Sequence, residues 1–233
     1  MAYNQLLDFI DNLDTTVHRH LVMFYEEPEY AKLVQMRFID DGLERGECCI
    51  YVVHDEQDLL FTRREMIAYG IDVDEYDKRG LLHLCVKKVA PDLESFKDSI
   101  RMIHEETTEK FFNRYNDHKQ QRQQQQQQPP MPPPIRGVGL AIPRALPEGG
   151  SNSNSGPQKR TAASTIQPQI ERFLNDEMVG TFSGVWLCPY QLDDIDAHMD
   201  KQWMEDVLKN HDAVLFMPKL SNGIALNLKD DAL

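Results

Sequence analysis

At 233 residues with 41% apolar side chains, the chain is long enough for one large domain and apolar enough to give it a sizeable core. No apolar run approaches the ~20 residues that a bilayer-spanning helix needs, and the stretch from Met1 to Asp14 is acidic where a secretory signal is basic. A cytoplasmic location with no membrane partner is therefore expected, and a net charge of −13 leaves no basic stripe for direct nucleic-acid binding.

In chain order, the apolar run from His20 to Tyr25 has strand length. The next stretch, in which Tyr30, Leu33, Val34 and Phe38 recur at helical spacing, predicts a helix that stops at Gly42 or Gly46. Cys48 to Val53 (CCIYVV) reads as a buried strand, and Glu56 to Tyr69 as a helix pairing Leu59 with Met66 and Leu60 with Ile67. Leu81 to Val86 repeats the strand signal, followed by a long helix with Leu93, Phe96, Ile100, Ile103 and Phe111 on one stripe.

The pattern then breaks. Gln120 to Gln128 is glutamine at eight of nine positions, and eight of the thirteen prolines lie between Lys119 and Arg160. Over that same stretch six basic residues stand against a single acid, so the rest of the chain is more acidic than the total suggests. Segments of this kind form neither helix nor ladder continuously, and disordered inserts are expected over 119–134 and 143–163. Between them, Ile135 to Ile142 suits a strand.

Alternation resumes beyond the insert. Ile166, Ile170, Phe173, Leu174 and Met178 mark a helix, Ser183 to Cys188 a strand, and Ile195, Met199 and Trp203 a further helix. Ala213 to Met217 and Gly223 to Leu228 flank a Ser-Asn-Gly turn and predict an antiparallel pair. Repeated strand–helix units with continuously apolar strands imply one domain over 1–233: a doubly wound, mainly parallel α/β sheet with a C-terminal antiparallel hairpin. In such sheets ligands bind beyond the carboxyl ends of the strands. Residues projected to that edge are Tyr25 and Glu26, His54 and Asp55, and Cys188 with Tyr190; a shared rim is expected.

The four cysteines show no CxxC spacing and sit mostly in apolar runs, the signature of packed thiols. Cys188 at a strand end offers a nucleophile only if a histidine lies near it. His18 and His20 form an H-x-H pair that would face one side of an extended segment, but no second cluster with ligand spacing is visible. No metal and no cofactor are assigned, and His20 is kept as a candidate ligand-binding residue. Arg45 and Glu47 are expected to fix the turn into the second strand through charge-assisted hydrogen bonds.

The blocks H-x-x-x-F-Y-E (His20, Phe24, Tyr25, Glu26), F-I-x-x-G-L-x-R-G-E (Phe38 to Glu47, with Gly42, Arg45, Gly46 and Glu47) and L-C-P-Y (Leu187 to Tyr190, with Pro189) resemble the MEDS domain. That is the methanogen/methylotroph DcmR-like sensory domain, itself similar to RecA/KaiC ATPase domains. The resemblance spans about His18 to Leu228. It implies a RecA/KaiC-like fold, archaeal or bacterial origin, and a non-enzymatic role in sensing a small molecule or a signalling protein. About seventeen residues precede the first strand, so output is expected to pass through a separate partner or through self-association as a homo-oligomer. A phosphate-binding loop needs G-x-x-x-x-G-K-[ST] after the first strand. Here the chain reads YEEPEYAKL, with no glycine between Tyr25 and Leu33 and with Glu26, Glu27 and Glu29 at the helix start. The alternative is a degenerate nucleotide-binding protein with residual ATP affinity.

Overall fold

A computed structural model of the chain describes residues 2–86, 93–121, 133–139, 183–193, 201–218 and 223–229, with Gln169, Arg172, Phe173 and Asn175. Seven strands form one sheet: β1 (Arg19–Tyr25), β2 (Cys48–Val53), β3 (Leu82–Val86), β4 (Ile135–Val138), β5 (Gly184–Gln191), β6 (Ala213–Met217) and β7 (Ile224–Asn227). Their order is β3-β2-β4-β5-β1-β6-β7. Every pairing is parallel except β6 with β7, the expected terminal hairpin.

The described helices are α1 (Ala2–Asp11), α2 (Pro28–Glu44), α3 (Glu56–Tyr69), α4 (Val73–Lys78), α5 (Leu93–Gln121) and α6 (Lys201–Lys209). Because side chains alternate across a strand, each strand feeds two cores. Leu21, Met23, Cys49, Tyr51, Leu187 and Leu215 pack on a first face with residues of α1, α2 and α3. Val22, Phe24, Ile50, Val52, Trp186, Cys188 and Tyr190 pack on a second face with Ile100 of α5 and Trp203 and Val207 of α6. Both faces are covered, which is why the parallel strands are apolar throughout.

Local chemistry sets the helix ends. Pro28 opens α2, where a missing N–H costs nothing, and the chain leaves that helix through Gly46 at φ 77, a left-handed turn that disfavours a Cβ. Asp55 caps α3, its Oδ1 accepting from the Asp58 N–H at 2.8 Å.

Four expectations are revised. Leu33 is exposed, whereas Ala31, Val34, Gln35, Phe38 and Ile39 are buried, so the inner face of α2 is rotated from the expected stripe. Leu60 and Ile67 of α3 point to solvent while Met66 carries the packing. The helices α1 and α4 were not anticipated; both are short, and α1 is held by packing on α2 and β7 and by a bidentate Asp11–Arg37 pair at 3.1 Å. Finally, α5 extends to Gln121, so the glutamine run begins as helix. The rest of that run, all of the 143–163 segment, residues 140–142 of the expected strand, most of the helix expected through Ile166 and Met178, and Ile195, Met199 and the Ser221–Asn222 turn lie outside the described residues, although Phe173 is buried on the second face.

Candidate functional site

The β2 strand connects outward to the edge strand β3, and β4 connects inward to β5. Adjacent strands whose connections diverge leave a crevice above their carboxyl ends. A cleft of about 320 Å³ lies there, lined by Val52, Val53 and His54 at the end of β2, Val138 and Gly139 at the end of β4, Tyr25 at the end of β1 and Pro189 of β5. The walls come from α2 (Pro28, Ala31, Lys32, Gln35) and α3 (Asp58, Phe61, Thr62, Glu65).

Tyr51 sits at the centre. Its ring is buried, its Oη accepts from Lys32 Nζ at 3.1 Å, and its hydroxyl donates to Gln35 Oε1. Lys32 also pairs with Glu65 at 3.2 Å and lies 5.2 Å from the Tyr51 ring centroid. Burial works against the lysine's charge, but Tyr51 and Glu65 outweigh it and raise its pKa. Burial also raises the Tyr51 pKa, so the cleft presents a cation beside a neutral phenol. Neither residue was singled out from the sequence. The available signal was the side-chain alternation of β2, which faces Tyr51 toward α2, together with a lone lysine one turn into that helix.

The structure distributes the sequence candidates over two places. Tyr25, His54 and Pro189 line the cleft. Glu26 is exposed beside it, and Asp55 is occupied as the α3 cap. The shared rim does not extend to Cys188 and Tyr190, which with His20 are buried on the second face beneath α6. Tyr190 packs between Phe24 and Trp203, with ring centroids 5.9 and 5.6 Å away. His20 and Cys188 meet there, with Nε2 3.1 Å from Sγ. The reason is register: β5 residues at even positions pair beside even positions of β1 and point with them to the second face.

The motif around Gly42 to Glu47 has a structural task larger than a turn. Arg136 of β4 is fully buried, with Nε 2.6 Å from Glu47 Oε2, Nη1 2.9 Å from Asp41 Oδ2 and Nη1 donating to the Phe38 carbonyl at 3.0 Å. Thr15 Oγ1 donates to the other Glu47 oxygen at 2.8 Å. A Cβ on Gly42 would stand 2.8 Å from Arg136 Cδ, so glycine makes room for the guanidinium. Arg45 holds Asp41 at 3.2 Å and donates to the Leu13 carbonyl, tying α2 to the segment before β1.

Comparison with known proteins agrees with this architecture. A KaiC-like protein from the hyperthermophilic archaeon Pyrococcus horikoshii superimposes with a TM-score of 0.52 at 14% identity, over 88% of this chain and 79% of that one. The fold is thus the KaiC-like α/β class. Residues 19–115 match the model of the MEDS family, the MEthanogen/methylotroph, DcmR Sensory domain, the family that the G-L-x-R-G-E block resembles. No curated protein matches the sequence significantly. Among the described residues, no helix is long and apolar enough to cross a membrane.

Proposed function

We propose that the protein is a non-enzymatic sensory module that binds a small organic ligand in the cleft at the carboxyl edge of its sheet and passes the signal to a protein partner or a second copy. The observation that carries this reading is the Lys32–Tyr51–Gln35 network, placed at the switch point between β2 and β4 in a cleft of about 320 Å³. That volume is at the small end of ligand pockets. The apolar lining from Val52, Val53, Phe61 and Pro189, with one ammonium and one phenol beneath it, suits a compact molecule carrying a single hydrogen-bond acceptor.

A second reading, a degenerate nucleotide-binding site, is favoured by one observation: Lys32 follows β1 on the helix whose start carries the phosphate-binding loop in P-loop proteins. Against it stand Glu65 on the lysine, Asp58 in the wall and Glu26, Glu27 and Glu29 at the helix start, all repelling a triphosphate. Thermal-shift screening of the full chain with small neutral and carboxylated metabolites, with ATP and magnesium as a parallel arm, separates the two. The sensory reading expects a stabilising metabolite whose effect disappears in Tyr51→Phe. ATP binding that disappears in Lys32→Met would replace it with the nucleotide reading.

A further inference from the structure

On the second face, across the sheet from the cleft network, three side chains from separate parts of the chain converge. His20 comes from the amino half of β1, Cys188 from the middle of β5, and His211 from the residue pair that leads into β6. One ligand nitrogen of each histidine and the Cys188 sulfur all lie within 4.8 Å of one another, and all three residues are buried. The ring orientations are fixed from behind. His20 Nδ1 lies 3.0 Å from the Asn210 carbonyl and His211 Nδ1 2.6 Å from the Val207 carbonyl. A carbonyl only accepts, so each Nδ1 carries the hydrogen and each Nε2 carries the lone pair.

We propose that His20, Cys188 and His211 form a buried binding site for a single zinc ion. Zinc–nitrogen and zinc–sulfur bonds of about 2.0–2.1 and 2.3 Å place ligand atoms roughly 3.3–3.6 Å apart across a tetrahedral angle. The His20 Nε2 to Cys188 Sγ separation of 3.1 Å and the 4.8 Å limit on the group bracket that range, so small side-chain rotations complete the site. The two imidazoles now lie stacked, centroids 3.9 Å apart at 27° between planes, and an ion held by both would splay them. Backbone carbonyls behind ligating histidines are the usual means of fixing tautomer and direction at a metal.

The donor set selects the ion. A thiolate and two imidazoles without an oxygen ligand exclude magnesium, calcium and manganese and suit zinc, copper being the competitor where a weak axial ligand completes a trigonal set. On binding, the Cys188 S–H bond breaks, the sulfur's electron pair forms the Zn–S bond and the proton leaves to solvent. An opening of about 200 Å³ lined by His18, Arg19, Asp212 and Lys229 lies at the amino end of the same strands, beside these ligands in sequence. Three protein ligands leave a fourth coordination position. The inference stands independently of the cleft and of what it binds.

The test uses the full chain, refolded or titrated with Zn²⁺ in the presence of a weak chelating competitor and analysed by elemental mass spectrometry. One zinc per chain is expected, with affinity at least about tenfold weaker in Cys188→Ser and in His211→Gln. Cobalt substitution of the wild-type protein provides a readout that needs no variant. A sulfur-to-cobalt charge-transfer band together with intense tetrahedral ligand-field bands is expected, and that band should vanish in Cys188→Ser. Absence of both zinc retention and the cobalt band in the wild-type chain would overturn the site, leaving Cys188 as a thiol hydrogen-bonded to His20. Copper recovered in place of zinc would overturn the choice of ion. Undiminished zinc in both variants would place the metal elsewhere.

Discussion

The two faces of the sheet differ in where they bury charge. The buried charges lie under α2, where Arg136 sits between Glu47 and Asp41, and the half-buried Lys32 stands near them between Tyr51 and Glu65. Under α5 and α6 stand histidines and thiols held neutral. Burial pushes the Cys48 thiol up to about 12 and Cys85 to about 11, and brings His83 and His211 down to about 4. A guanidinium cannot shed its proton, so it must bring its counter-charges with it. An imidazole or a thiol can stay uncharged, and apolar neighbours then suffice. The first face is thereby committed to fixed electrostatics, whereas the second keeps neutral donors that could accept a metal.

Breaking the charged side should have the largest effect. Glu47→Ala leaves the fully buried Arg136 guanidinium short of its main partner, and a loss of about 3–5 kcal/mol is expected in urea unfolding. The double variant Arg136→Met, Glu47→Gln should recover part of that loss, since it removes the charge together with its main partner and leaves Asp41 paired with Arg45. If Glu47→Ala unfolds at the wild-type midpoint, the network contributes nothing and the contrast between the faces collapses.

Acid should act on the neutral side. His83, buried in β3, has its folded pKa depressed to about 4, first by burial and then by Lys110, against an ordinary value of 6.5. Between those two pH values the unfolded chain binds more protons than the folded one, so stability falls as pH drops from 6.5 toward 4. For this one residue the loss reaches about 2 kcal/mol at pH 5. Urea midpoints at pH 7.5 and 5 should therefore lie closer together in His83→Gln than in the wild type, and an unchanged gap would show that this histidine is not the titrating group.

Smaller effects sharpen the comparison at the cleft. Tyr51→Phe deprives Lys32 of an acceptor and Gln35 of a donor, for an expected destabilisation of about 1–2 kcal/mol by chemical denaturation. Gly46→Ala strains the left-handed residue between α2 and β2 without meeting any neighbouring atom, and should cost about 1 kcal/mol of thermal stability while leaving metal content and ligand response unchanged.

The strand–helix alternation was readable because it depends on local period. Continuous apolar runs such as Cys48 to Val53 and Leu187 to Tyr190 have no other stable place than a covered sheet. Tyr25 and His54 could be assigned to the carboxyl edge for the same reason, since a residue ending a parallel strand must lie there, whereas Cys188 and Tyr190, assigned with them, turn to the second face. Helix faces were read less well: Leu33 and Leu60 have the right spacing but the wrong rotation, because the partner surface, and not the helix, decides which stripe is covered.

By itself, then, the sequence determined the class of fold, the places of most strands and the polarity of each along the sheet, all of which follow from side-chain period and chain direction. Only the tertiary structure decided which strands became neighbours. That decision brings Arg136 onto Glu47 across a separation of 89 residues and His20 onto Cys188 across 168. Spacing carries no trace of such pairs, because strand order depends on how the connecting helices pack on the two faces of the sheet and not on the local period of any one segment.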